Sequence, residues 1–284
     1  MMRIRRVYIS SVLLVGLFLI NRPTLAMQVS APAETDPIQL FFHDDTTLPG
    51  VEKLKKLLIR LEKVRSNQSS DFSFVRSVFF KTHKRLLHDY DPSASVPETL
   101  ESGRFGCLSG TALYAVILKH FGIDYEIIET TAHVYLKVNA NDKTVLFEST
   151  LPIEGFISDV KEITSATQQY QADSRKNTSL ISISGIGEQT EGADTFTKSI
   201  SLVELSGLQY YNMAIYNLED QDYKAALLNA ERSVLLYPSK RTEKLMEMVI
   251  KKIWQSKSLT KDLKSVILNN YIAEIKKKKL TQRT

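Results

Sequence analysis

The chain has 284 residues, 43% of them apolar, which is enough for one large core or two smaller ones. It carries a single cysteine, Cys107, so no internal disulfide is available and the fold must stand on its hydrophobic core. The formal charge of +5 is no argument for nucleic acid, because residues 1–26 hold four arginines and no acid, and without them the charge falls to +1.

Arg3, Arg5 and Arg6 open the chain, Val7 to Ile20 form an apolar run, and Thr24-Leu25-Ala26 supplies small residues for cleavage. This pattern predicts a signal peptide over 1–26 and an exported product, periplasmic or secreted. The run is short for a membrane span; an uncleaved anchor is the alternative reading. No cysteine follows it, which argues against a lipoprotein. Residues 27–48 read as a loose, proline-containing arm.

Leu54, Leu57, Leu58, Leu61 and Val64 recur at the three-and-four spacing of an amphipathic helix over 51–64. A second helix is predicted over 72–87, with Phe74, Val75, Val78, Phe79 and Leu86 inward. Asp89-Tyr90-Asp91-Pro92-Ser93 ends it, and a loop leads to Gly103-Arg104-Phe105-Gly106-Cys107-Leu108-Ser109-Gly110-Thr111. There a glycine-broken loop runs into an apolar helix that ends near His120. Cys107 therefore sits at a helix start, where the positive end of the helix favours a thiolate. A lone exported thiol is a liability unless it is buried, paired or used.

After Phe121-Gly122 the period changes to two. Residues 123–129 and 132–138 read as strands, with Val134, Leu136 and Val138 on one face and His133, Tyr135 and Lys137 on the other. Asn139 to Lys143 has turn chemistry, and 144–149 is the return strand. Centring the hairpin near Asn141 puts His133 opposite Glu148 or Ser149, close enough for imidazole and carboxylate to touch. A one-residue slip would turn the acid to the other face.

Residues 156–201 are rich in Ser, Thr, Gln and Gly and read as a connector, with one strand at the apolar island Leu180 to Ile186. From Leu202 the pattern is helical to the end, with a break at Ser256 to Thr260. Residues 240–284 hold 13 basic and four acidic side chains, net +9, which leaves −8 on 27–239. Such polarity suits a weak contact with an anionic envelope surface, or simply a solvated basic face. Lys276 to Lys279 read as a solvated helix end.

A thiol at a helix start, a histidine on one strand and an acid on the next make a nucleophile, a base and an orienter. Cys107, His133 and Glu148 are the candidate catalytic residues. Ser109, Thr111 and Tyr135 either line that site or serve helix packing. His43, His83, His88 and His120 lack paired metal-ligand spacing and read as surface or capping residues; His43-Asp44-Asp45 is a weak metal cluster. The reading includes no metal and no cofactor.

The segment from about 95 to 155, with Phe105-Gly106-Cys107-Leu108-Ser109, His133-Val134-Tyr135-Leu136 and Phe147-Glu148-Ser149-Thr150, resembles the transglutaminase-like branch of the papain-like cysteine enzymes. The resemblance implies an α+β cysteine-hydrolase fold with an antiparallel sheet, over 49–155. It implies an acyl-enzyme mechanism on a peptide or amide bond of a peptide or protein substrate, by hydrolysis or by transfer. Two features depart from the family: the acid is Glu148 where aspartate is common, and Leu108 stands where the crosslinking animal enzymes carry tryptophan. No counterpart of the side chain that completes the oxyanion hole is evident. Residues 205–238, with Tyr210, Met213, Ala214, Asp222-Tyr223, Ala226, Ala230 and Pro238, resemble one tetratricopeptide repeat, although Asn217 and Ser233 depart from its usual residue sizes. That resemblance implies a helical domain over 202–284 able to hold a protein partner. The rival reading is a retired transglutaminase-like scaffold whose helices bind that partner.

Overall fold

The apolar stripes of the first two helices are realised where their spacing put them. In the computed structural model, which describes residues 36–42, 49–131, 133–141, 143–176, 197–257 and scattered positions from 259 to 273, helix α1 spans Pro49–Ser66 and buries Leu54, Leu57 and Leu61. Helix α2 (Asp71–Leu86) starts at Ser70, whose hydroxyl accepts the N–H of Ser73 as an N-cap should. The predicted signal peptide, most of the arm, His43-Asp44-Asp45, the Leu180–Ile186 island and Lys276–Lys279 lie outside the described residues.

His83 departs from the surface role read for it. It lies one turn beyond Phe79 and three residues before Leu86, on the same stripe, and is buried. The loop predicted after α2 also contains a short helix, α3 (Val96–Ser102), started by a reciprocal Ser95–Glu98 capping box. It ends at Gly103 with φ +86°, where a side chain would collide with His88. Strands β1 (Asp89–Tyr90) and β2 (Arg104–Phe105) pair in parallel across this insertion.

Helix α4 (Cys107–His120) is buried from Leu108 through Leu118, apolar all round as a central helix must be. One face of an antiparallel sheet packs on it. The sheet runs β6-β5-β4-β3-β7, with β3 at Tyr125–Thr130, β4 at Val134–Ala140, β5 at Lys143–Phe147, β6 at Phe156–Ile157 and β7 at Thr197–Ile200. Val134, Leu136, Val138, Val145 and Phe147 turn to the α4 side and join the main core, and Tyr135 turns to the other, as the period of two requires.

The hairpin is tighter than its composition suggested. Asn139 pairs with Thr144 and Ala140 with Lys143, and Asn141 takes a left-handed φ of 56°. Extended beyond its last pair, this register sets His133 against Thr150 and Glu148 against Tyr135. Relative to the pairing of His133 with Glu148, the shift is two residues, so Glu148 keeps the face of His133 and becomes its diagonal neighbour.

The described parts of the stretch read as a connector, residues 156–176 and 197–201, hold regular structure. They supply β6, helix α5 (Val160–Lys176) and the edge strand β7. Ile163, Ala166 and Tyr170 of α5 cover Ile128, Tyr135 and Leu146 on the sheet face away from α4. The apolar i, i+3, i+7 spacing of these three residues was diluted by the surrounding Ser, Thr and Gln.

Helices α6 (Leu202–Glu219), α7 (Tyr223–Leu236) and α8 (Lys240–Gln255) follow. They share a second cluster built on Ala214, Ala226, Ala230, Leu245 and Val249. The N-terminal half of α6, through Leu202, Leu205 and Leu208, belongs to the main core instead. Gln209 accepts the N–H of Val96 at 2.8 Å and donates to the carbonyl of Phe41 at 2.9 Å. From Asp36 onward the chain is one compact unit with an α+β architecture. Among the described residues no helix is long and apolar enough to cross a membrane.

Candidate active site

The first turn of α4 is held from three directions. Gly106 is its N-cap and has no side chain, so no side chain caps the first N–H groups of the helix. The Ser109 hydroxyl instead accepts the N–H of Gly106 at 3.0 Å, and Thr99 donates to Ser109 at 2.9 Å. A Cβ at Gly106 would press on the carbonyls of Asp91 and Pro92. The thiol of Cys107, half-buried, is thus presented from a backbone that cannot shift easily.

His133 is positioned by its own backbone. Its N–H donates to the Thr130 hydroxyl at 3.1 Å, and its carbonyl accepts the N–H of Thr130 at 2.8 Å. This pinned loop leads into β4 and delivers the imidazole to the end of the sheet where α4 begins. Nε2 of the ring meets Oε2 of Glu148 at 2.5 Å. Cys107 stands close enough to the ring for its charge to raise the imidazole.

Glu148 follows β5 directly and is 1% exposed. Its Oε1 accepts the N–H of Thr150 at 2.9 Å and the Thr150 hydroxyl at 2.7 Å. Its backbone N–H donates to the carbonyl of Gly155, where any side chain would overlap the carbonyls of Glu148 and Leu151. The next residue ties this turn to the nucleophile: the Ser149 hydroxyl donates to the carbonyl of Cys107 at 3.2 Å. His83 Nε2 donates to the Ser149 carbonyl at 3.2 Å, and Gly110 leaves the space that lets α4 approach Ser149.

Electrostatics follow the geometry. Burial pulls the pKa of His133 down, but the charges of Cys107 and Glu148 and the bond to Glu148 overcome it and push the imidazole up to about 10. Burial pushes Glu148 up, and His133 with the two donors of Thr150 brings it below the ordinary carboxylate value. A charged imidazole beside an ionised carboxylate is the arrangement that results. Burial pulls the pKa of His83 below the ordinary imidazole value, and its Nε2 donates to the Ser149 carbonyl.

All three residues singled out in the sequence as nucleophile, base and orienter are thus brought together. Of the residues considered as lining, Ser109 fixes the start of the helix, Thr111 donates to the Val134 carbonyl at 3.3 Å, and Tyr135 lies buried beneath His133, its ring 6.4 Å away. Sequence reasoning passed over Ser149, Thr150, Thr130, His83 and Tyr170. Ser149 and Thr150 adjoin Glu148 in the motif itself, and a short hydroxyl side chain after a turn acid is a signal for local hydrogen bonding. Among the described residues no group of three or more His, Cys, Asp or Glu is arranged to hold a metal ion.

Compared with known proteins, the chain matches no protein-family model, no curated protein and no solved structure.

Proposed function

We propose that the protein is a cysteine enzyme of transglutaminase-like type that cleaves or transfers the acyl group of a peptide or amide bond. The observation that carries this reading is the 2.5 Å bond from His133 to a buried Glu148, made beside a thiol on the first turn of α4. The chain order of nucleophile, base and acid, on a helix start and two adjacent antiparallel strands, supports the transglutaminase-like assignment. The Ala226, Ala230 and Asp222-capped α7 likewise supports reading α6 and α7 as a tetratricopeptide-like pair, suited to a protein partner. An exported location, inferred from residues 1–26, is part of the same proposal.

In this mechanism His133 already holds the proton of Cys107 as an imidazolium, and the thiolate attacks the carbonyl carbon to form a C–S bond. The N–H of Cys107 at the helix start is the donor for the developing oxyanion. His133 then gives the proton to the leaving amine as the C–N bond breaks, which leaves a thioester. Water attacks the thioester carbonyl while His133 accepts its proton; the C–S bond breaks and the acid leaves. An amine in place of water gives transfer. Glu148 fixes the imidazole orientation and stabilises its charged form throughout.

The test is the iodoacetamide alkylation rate of Cys107 against pH, in wild type and His133→Ala. At neutral pH wild type is expected to react at least roughly tenfold faster than His133→Ala. Identical rates in both proteins across the pH range would sink the enzyme reading and leave the scaffold reading in its place.

A further inference from the structure

One bonded ring nitrogen and a pinned backbone do not fully fix an imidazole, whose plane can still swing about its side-chain torsions. The structure supplies a third restraint. Tyr170 of α5 packs its ring 5.0 Å from the ring of His133 and 5.0 Å from that of Tyr135. Burial, and then the charge of Glu148, raise the Tyr170 hydroxyl above its ordinary value, which places it within the field of that carboxylate. Helix α5 is itself well anchored: Asp159 accepts the N–H groups of Lys161 and Glu162 at 2.9 and 3.1 Å, and Ile163 and Ala166 seat it on the sheet. One side chain therefore packs on the imidazole of the His133–Glu148 bond from the side of the sheet that α5 covers.

We propose that Tyr170 is a positioning residue of the Cys107–His133–Glu148 site. Its ring closes the α5 side of the imidazole against water, beside the bond that the imidazole makes to Glu148. A hydrogen bond between charged partners is stronger where water cannot compete for either of them. Tyr170 acts through His133 and Glu148, and its role rests on the reading of the site given above.

The experiment follows the proton on the His133 ring nitrogen that faces Glu148, by NMR of full-length protein carrying ¹⁵N-labelled histidine. His133→Ala assigns the resonance among the five histidines. In wild type the proton is expected to exchange slowly with water. Tyr170→Ala, folded by circular dichroism, is expected to exchange it at least roughly tenfold faster, and Tyr170→Phe, which keeps the ring, to restore most of the protection. Should the alanine variant not fold, Tyr170→Leu is held to the same criterion. Wild-type exchange in the alanine or leucine variant overturns the proposal, as does a phenylalanine variant as leaky as alanine. No protected proton in wild type removes the His133–Glu148 bond, and the proposal with it. A protected, Tyr170-dependent proton together with identical alkylation rates in wild type and His133→Ala upholds Tyr170 and sinks only the enzymatic reading.

Discussion

Glu148 and Glu129 are both 1% exposed, one directly after a strand and the other next to the last residue of a strand of the same sheet, and both hold partners at hydrogen-bond distance, yet they titrate in opposite directions. Glu148 lies below the ordinary carboxylate value and Glu129 above it. Around Glu129, Tyr237 donates at 2.5 Å, Arg241 at 3.0 Å, and Lys198 stands 3.9 Å away. Burial outweighs these partners. Arg241 and Lys198 are 26% and 42% exposed, so water screens part of their charge. Around Glu148 the charged partner is an imidazole under an aromatic roof. A buried, perturbed carboxylate is thus not evidence of a site by itself; its partner decides. Glu148 faces a group able to move a proton, whereas Glu129 faces groups that hold β3 to the end of α7 and the start of α8.

The largest difference expected between them is chemical. Glu148→Gln should cut the labelling of Cys107 by a carbonyl-directed thiol probe by on the order of 10²- to 10⁴-fold, because an amide stabilises a charged imidazole far less than a carboxylate does. Glu129→Gln should leave labelling within about threefold, since its partners Tyr237, Arg241 and Lys198 are none of the residues that hold Cys107, His133 or Glu148. Second-order labelling rates measured by mass spectrometry decide this. Equal losses in the two variants would erase the distinction between site and seam.

Next in size is a stability effect that runs the other way. Arg241→Ala leaves Glu129 with a hydroxyl and a distant lysine in a buried position, which should cost about 3 kcal/mol and lower the melting temperature by roughly 6–12 °C. The pH profile of Cys107 alkylation should not move. A melting temperature within a degree or two of wild type would show that Lys198 closes on Glu129 and that the seam tolerates the loss.

The two glutamates also differ in how far the sequence exposed them. Strand periodicity placed His133 and Glu148 on one face from a span of 15 residues, and even a two-residue error in register left that face unchanged, because the side-chain period is two. The α4 helix and its thiol were legible for the same local reason. Glu129 meets Tyr237 and Arg241 across 108 and 112 residues, and no local period encodes such a pairing. Helix α5 was hidden because three apolar residues suffice to seat it on a small patch, and its remaining positions are free to be Ser, Thr or Gln. His83 was misplaced for a different reason: its position on the buried stripe of α2 was visible, but a polar residue type was weighed above its spacing.

The smallest expected effect is also the sharpest separation of the two carboxylates, because it changes sign. A carboxylate lowered in the folded state contributes stability above its unfolded value of about 4.5 and loses it as pH falls through the folded value. A carboxylate raised in the folded state does the reverse: it weakens the fold while ionised, and acidification relieves that cost. Denaturant midpoints followed from pH 7 down to about 4 should therefore fall less steeply in Glu148→Gln than in wild type, and more steeply in Glu129→Gln. Taking each variant against wild type cancels the acid sensitivity of other groups, such as Asp91 and His83. On the alkaline side His133, raised to about 10, stabilises the fold fully below about 6.5 and loses that contribution as pH rises towards 10. His133→Ala should remove this alkaline slope without altering the acid behaviour of Glu129. Parallel acid limbs in the two glutamine variants would mean that both glutamates sit in equivalent fields, and the distinction drawn from their partners would fail.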